Sequence, residues 1–356
     1  GPDKYGVPAV PQGEVEDYKL NVGKIGNLVW EDRNFDGLQN SPASEPGING
    51  VTVTLTWAGP NGTIDGGGDD VSFAPLTTGA PSFNQGEYYS CGLTPGTYKL
   101  TYGTPTDMTP TRPNQGSQVN GGTLDADATI TGMNLSMAME TFTIVDVTAL
   151  PTAENGNGDN GTNPTGTFPD AQTDETHDMG FAFLDYGDLP ESGNGDHFNS
   201  TMVEGGAVHV IVPGFKLGTL IDGEQDGAPS ATANGDDADN TDDEDGVTFT
   251  SPLIPGNNAT ISVTSMNPTG GNAVLQGWID WDNNGLLDGG EALAFTSNVV
   301  PTGNATTTYT FPVPAAAIFN DGMVFARFRL SPAGGLSPDG PDKYGVPAVP
   351  QGEVED

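Results

Sequence analysis

The sequence predicts an all-β chain of two β-sandwich domains in tandem, and three observations carry that prediction. The 356 residues include 52 Gly and 29 Pro, which supply positive φ and preset turn geometry while breaking helices. Between them, β-branched and aromatic residues recur in strand-length runs. Finally, residues 1–17 and 340–356 both read GPDKYGVPAVPQGEVED. The segment recurs from position 1 to position 340, a period of 339 residues, too long for a solenoid and suited to whole modules in tandem. The length itself matches about two domains. With 34% hydrophobic and 16% charged residues, disorder is the alternative reading, and the strand-length runs argue against it.

Ten Lys and Arg face 48 Asp and Glu, a formal net charge of −38. Such a chain repels nucleic acid and anionic membrane surfaces. Self-repulsion of this size destabilises a compact state unless bound cations or high salt offset it. Cys91 is the single cysteine, so no intrachain disulfide or cysteine-rich metal motif exists, and it reads as a buried or half-buried strand residue. No apolar run is long enough to span a membrane. The chain opens in mid-pattern at Gly1 with no signal peptide and reads as a slice of a longer polypeptide, with residues 1–17 as the end of a preceding repeat.

In the first module, residues 18–184, KIGNLVWEDRNFDGLQN (Lys24–Asn40) reads as a strand followed by an oxygen-rich loop. Asp32, Asn34 and Asp36 alternate, Gly37 permits a sharp turn, and the Leu38 carbonyl completes a set able to converge on one hard cation. Glu45 stands two residues beyond the usual twelfth-position carboxylate. GINGVTVTLTW (Gly47–Trp57) reads as an alternating strand, GEYYSCGLTPGTYKLTYG (Gly86–Gly103) as two strands around a Pro-Gly turn, and Pro151–Thr176 as a long polar loop. Together with DMGFAF (Asp178–Phe183), these segments resemble the B-type repeat of serine–aspartate-repeat (Sdr) surface adhesins. That resemblance implies a prealbumin-like sandwich binding calcium in the D-x-N-x-D-G loop.

DYGDLPES (Asp185–Ser192) opens the second module, residues 185–356. NGDDADNTDDEDGVTF packs seven acids into residues 236–245. Such a run is ordinarily solvated, but it leads directly into a strand, so Asp236, Asp237, Asp239, Asp243 and Asp245 read as a calcium cluster. The sharpest motif is Asp280-Trp-Asp282-Asn-Asn284-Gly285-x5-Glu291, which meets every position of the D-x-[DN]-x-[DN]-G-x5-E loop. Its ligands would be Asp280, Asp282, Asn284, the Leu286 carbonyl, Asp288 and a bidentate Glu291, against the alternative of a plain acidic hairpin. Its flanks VLQGWIDW and ALAFTSNVV look strand-like, so this is a loop in a sheet. DYGDLPES, DDEDGV, WIDWDNNG, FARFRLS and the terminal GEVED resemble the GEVED domain of secreted bacterial proteins, which implies a surface β-sandwich and no defined catalysis.

His177, His197 and His209 are the only histidines; none has metal-ligand spacing, and no nucleophile elbow or phosphate loop appears. Paired carboxylates of the kind a glycosidase uses are abundant, yet nearly all sit in Gly/Asn/Asp loops that cation binding accounts for. The sequence therefore reads as non-enzymatic, with Ca2+ as its cofactor and an extracellular location. Three functional classes remain: a structural repeat joined head to tail in a filament or stalk, an adhesin module for a host, glycan or neighbouring-cell ligand, and an ancillary module of a secreted enzyme. Repetition favours the first, because a spacer gains from many copies. Trp30, Trp57, Trp278 and Trp281 are too few and too strand-embedded to form an aromatic binding surface.

Overall fold

The computed structural model describes residues 23–81, 83–94, 96–111, 124–125, 129–130, 137–144, 174–191, 198–235, 243–319, 324–340 and 349–356. The duplicated segment 1–17 lies outside these residues. The described chain is almost entirely strand and loop, with one short 3-10 turn at Met202–Glu204.

The first sandwich is organised by the strand Gly23–Glu31. Glu87–Leu93 pairs antiparallel on one side of it. Asp174–Thr176 and then Met179–Ala182 run parallel to it on the other. The parallel run is interrupted at His177–Asp178, where the Leu28 N–H donates to Asp178 Oδ1 at 2.8 Å. The opposing sheet has the order Thr129–Ile130, Met137–Ile144, Gly96–Gly103, Thr52–Trp57, Val71–Ser72, with Leu76–Thr77 also on Thr52–Trp57. Alternate residues of each strand face inward, so Ile25, Val29, Val53, Leu55, Tyr88, Tyr98, Leu100, Tyr102, Met179 and Phe181 form one core. The Tyr88 hydroxyl lies 2.7 Å from that of Tyr102 and donates to the His177 carbonyl at 2.6 Å, so both buried phenols are satisfied and the two sheets are tied together.

Four sequence expectations change here. Glu87–Leu93 and Gly96–Gly103 do flank a turn, but they pair with different sheets, so the turn is an arch across the sandwich. The strand expected from Gly47 begins at Thr52, because Gly50 has φ +86° and turns the chain first. The stretch 151–176 is not loop throughout: Asp174–Thr176 is a strand of the first sheet, while residues 151–173 lie outside the described residues. Cys91 is exposed. Gly92, at φ +82°, breaks the alternation so that Leu93 reaches the core while Cys91 stays on the outer face.

The second sandwich sets Lys216–Leu217, Asn258–Asn267, Val247–Phe249 and Gly303–Pro312 against Val299–Val300, Ala273–Ile279, Ala326–Ser331 and Glu353–Glu355. Its core includes Phe215, Ile261, Val263, Leu275, Ile279, Trp281, Phe311, Phe328 and Leu330. Long Asn258–Asn267 pairs with Gly303–Pro312 over ten register positions, Asn258↔Pro312 to Asn267↔Gly303. The last strand, Glu353–Glu355, is an edge strand on Ala326–Ser331.

Between the sandwiches Leu184–Tyr186 pairs with Val208–Val210. A separate apolar cluster there joins Phe35 and Ala182 to Leu184, Tyr186, Val208, Val210 and Val349. The Thr109 hydroxyl also donates to the Glu224 carbonyl at 3.3 Å.

Candidate metal centres

The loop 280–291 leaves the strand Ala273–Ile279 and returns to it through a bridge between Trp278 and Ala292. Only Val299–Val300 is a strand in the second flank, so the expectation for ALAFTSNVV holds at its end alone. Asn283 and Gly285 take left-handed φ of +56° and +81°, which folds the alternate side chains back over the backbone. The Asp280 oxygens accept the N–H groups of Asn284 (3.1 Å) and Gly285 (3.0 Å). Glu291 accepts from Trp281 (2.7 Å) and Asp288 (2.9 Å) through its two oxygens. Backbone donors thus fix both buried carboxylates. Ligand oxygens of Asp280, Asp282 and Glu291 lie within 4.8 Å of one another, a spread that one ion with Ca–O distances of about 2.3–2.6 Å can bridge. The donor set is all oxygen, as a hard cation requires. Burial raises the Glu291 carboxyl to about 7 and also raises Asp280, the response expected of crowded acids without a counter-charge. Asn284 and Asp288 serve the turn, accepting from Leu286 (2.8 Å) and Gly290 (2.7 Å).

The loop at Asp32 follows the same backbone plan, with Phe35 at φ +53° and Gly37 at +81°. Asp32 is fully buried; its Oδ2 accepts from Gly37 N–H at 2.8 Å and from the Thr111 hydroxyl. Asp36 is turned aside: its Oδ2 accepts the Asn34 and Asn40 amides, each at 2.9 Å. The Leu38 carbonyl accepts from Asn40 Nδ2 at 3.2 Å. Buried Glu45 accepts from the Asn40 N–H at 2.5 Å. Burial, then the nearby charges of Asp32 and Asp36, push its carboxyl up. The longer spacing therefore still returns Glu45 to the loop, although Asp32, Asp36 and Glu45 do not close into a trio as tight as that at 280–291.

Of the acidic run, Asp236, Asp237 and Asp239 lie outside the described residues. Asp245 is exposed and caps the preceding turn, accepting from the Thr219 N–H at 2.7 Å. Asp243 is buried, and its oxygens converge within 4.8 Å of those of Asp185 and Glu224. Neither of those two acids belongs to the ligand set read from the sequence. They stand 39 positions apart (185 to 224) with no repeating spacing, so only the fold brings them to Asp243.

Residues 23–161 match the SdrD B-like domain family and residues 274–356 match the GEVED domain family. The chain carries an SdrD B-like domain followed by a GEVED domain. A 100-residue stretch is 40% identical to serine-aspartate repeat-containing protein D of Staphylococcus aureus strain Newman, covering 28% of this chain and 6% of that protein. Over 113 residues it is 36% identical to serine-aspartate repeat-containing protein F of Staphylococcus epidermidis, covering 32% of this chain and 6% of that protein. The chain thus spans only a small part of these relatives. Residues 162–273, which include DYGDLPES and the acidic run, fall outside both family matches.

The GEVED segment is woven into the second sandwich. Val354 N–H donates to Asp185 Oδ2 at 2.6 Å. Asp356 accepts from the Asp188 and Leu189 N–H groups at 2.8 and 3.1 Å and pairs with Arg327 at 2.6 Å. DYGDLPES, FARFRLS and GEVED therefore meet at one place. Gly187 leaves room for that pair, since a Cβ there would lie 2.4 Å from Asp356 Oδ2 and 2.6 Å from Arg327 Nη2 and would displace one of them.

Proposed function

We propose that this chain is a calcium-stabilised structural repeat that forms, head to tail, the shaft of a bacterial extracellular filament or surface stalk, without catalytic activity. The domain division proposed with it is 1–17 as the end of the preceding repeat, 18–184 as the SdrD B-like sandwich and 185–356 as the GEVED sandwich. One observation carries the reading. The segment 340–356 duplicates 1–17, and its described part is an edge strand pinned to the sandwich it follows. In a continuous polymer only residues 18–22 then separate that docked segment from the strand Gly23–Glu31 of the next SdrD B-like domain. So short a link, anchored by strand hydrogen bonds on both sides, leaves few free dihedrals. The resemblance to Sdr surface adhesins supports a surface setting, and the two oxygen-rich loops support calcium.

From the size scaling of compact domains, each sandwich is about 40 Å across and each repeat advances about 80 Å. Electron micrographs of a chain of two consecutive repeats in millimolar calcium are expected to show straight rods with a spacing near that value. Broadly distributed angles between repeats would count against the shaft. Separately, adding EDTA is expected to lower the melting temperature of the single repeat, because an ion that binds only the folded state stabilises it by mass action. Melts indifferent to EDTA would remove calcium from the proposal.

A further inference from the structure

At the base of the second sandwich five acids are gathered in little space. Asp185, Asp243, Glu353 and Glu355 are buried, and Glu224 is half-buried. Backbone N–H groups hold one oxygen of each. Val354 donates to Asp185, Tyr186 to Glu224 (2.9 Å), Asp222 to Asp243 (3.3 Å), Leu217 to Glu353, and Gly246 to Glu355 (2.9 Å). The second oxygen of Glu353, Oε1, is fully enclosed and has no hydrogen-bond partner among the described residues. It lies beside the cluster, since the next residue, Val354, donates to Asp185 Oδ2 at 2.6 Å and Glu353 interacts electrostatically with both Asp185 and Asp243.

The described cationic side chains nearest the cluster make their hydrogen bonds outside it, while Lys216 still acts electrostatically on Glu353 and Arg329 on Asp185. The Lys216 ammonium donates to the Thr219 carbonyl. Arg329 donates to His209 Nε2 (2.9 Å) and to the carbonyls of Val208 (3.0 Å), Ser337 (2.9 Å) and Asp339 (2.6 Å). Arg327 is bound to Asp356. A cation shared by several of these acids would offset their mutual repulsion. Oxygens of Asp185, Glu224 and Asp243 within 4.8 Å of one another fit the largest separation, about 5 Å, of two ligands on one calcium ion.

We propose that Asp185, Glu224 and Asp243, with the enclosed Glu353 carboxylate beside them, form a further calcium site, separate from the loops at Asp32 and Asp280, which locks the terminal GEVED strand to the strand that enters the second sandwich. These four acids come from the strand Leu184–Tyr186, the loop after Lys216–Leu217, the acidic run and the strand Glu353–Glu355. One ion would therefore staple together four segments far apart in sequence, at the end of the domain where the next repeat would attach.

The test uses the full chain carrying Asp36→Asn, Asp282→Asn and Glu291→Gln, which removes acids from both loops and none from this cluster. Calcium is titrated by calorimetry and counted by native mass spectrometry, and amide exchange is followed with and without it. The expected result is one retained ion and at least tenfold slower exchange of the amides of Leu217 and Val354. Adding Glu224→Gln is expected to abolish both effects. No bound calcium in the triple variant, or exchange at Leu217 and Val354 that ignores calcium, overturns the site even if Glu224→Gln fails to fold. The loop reading is judged independently, by the ions the unaltered chain binds in excess of the triple variant.

Discussion

In EDTA, the melting temperature of the chain is expected to fall as pH rises from about 6.5 to 8, and millimolar calcium is expected to reverse that slope. Burial lifts the Glu291 carboxyl to about 7 and that of Glu355 to about 8. Burial, with neighbouring acids, also raises Asp185 and Glu353. A raised folded-state value means that the folded chain keeps a proton which the unfolded chain releases near 4.5. The stability tied to that proton is therefore complete below about 4.5 and lost as pH climbs through about 7 for Glu291 and about 8 for Glu355. Each fully titrating group contributes at most ~1.4 kcal/mol per pH unit. His209 acts in the opposite sense. Burial, then Arg329, holds its imidazole well below 6.5, so it takes stability away as pH drops below 6.5 and is silent above. It therefore offsets part of the decline below 6.5 and none of it above. Calcium inverts the sign because it needs the carboxylates ionised, so protons compete with it and its contribution grows with pH. Melts at pH 6.5, 7.0, 7.5 and 8.0, with EDTA and with calcium, check both slopes. A flat or rising profile in EDTA would show that the buried acids are compensated some other way.

The parts of the molecule legible in its sequence are those written in local chemistry. The 280–291 loop folds as its spacing demands, because every feature it needs (alternating oxygens, a glycine at the turn, a closing glutamate) lies within twelve consecutive residues. The all-β fold was equally legible, since Gly and Pro punctuate runs such as TVTLTW and NATISVTSMN, whose alternation one buried face imposes. What escaped is non-local. Nothing in GEYYSCGLTPGTYKL says that its two strands part to different sheets, nor that Asp174–Thr176 returns parallel to Lys24–Gly26. The left-handed Gly92 that turns Leu93 into the core is likewise set by pairing register. The Asp185–Glu224–Asp243 group was invisible for the same reason. Acids far apart in sequence have no pattern to read, and they meet only because the GEVED strand closes a sheet edge beside them.

Replacing Asp356 by Ala is expected to be the most damaging single substitution in the second sandwich, costing about 3–5 kcal/mol, because it strands a buried arginine. Arg327 and the Asp356 side chain are both fully shielded from solvent. Nε and Nη2 of the guanidinium reach the two carboxylate oxygens at 2.6 Å each, a bidentate pair. Its remaining donors go to Ser200 Oγ (3.0 Å) and to the carbonyls of Phe198 (3.1 Å), Asn199 (3.2 Å) and Pro338 (3.2 Å). Asp356 in turn holds the N–H groups of Asp188 and Leu189. Removing the carboxylate leaves the positive charge with only a hydroxyl and carbonyl dipoles and orphans two backbone donors. For a domain of this size the cost corresponds to a fall of roughly 6–20 °C in the melting temperature of the second sandwich. The SdrD B-like sandwich has its own core, so its transition should move far less, and calorimetry would resolve the two. Arg327→Met combined with Asp356→Ala removes both charges, and its cost should fall short of the sum of the single variants by more than about 1 kcal/mol. Strictly additive costs would mean that the pair is incidental, and that the GEVED segment is held by the Val354–Asp185 contact and its strand ladder instead.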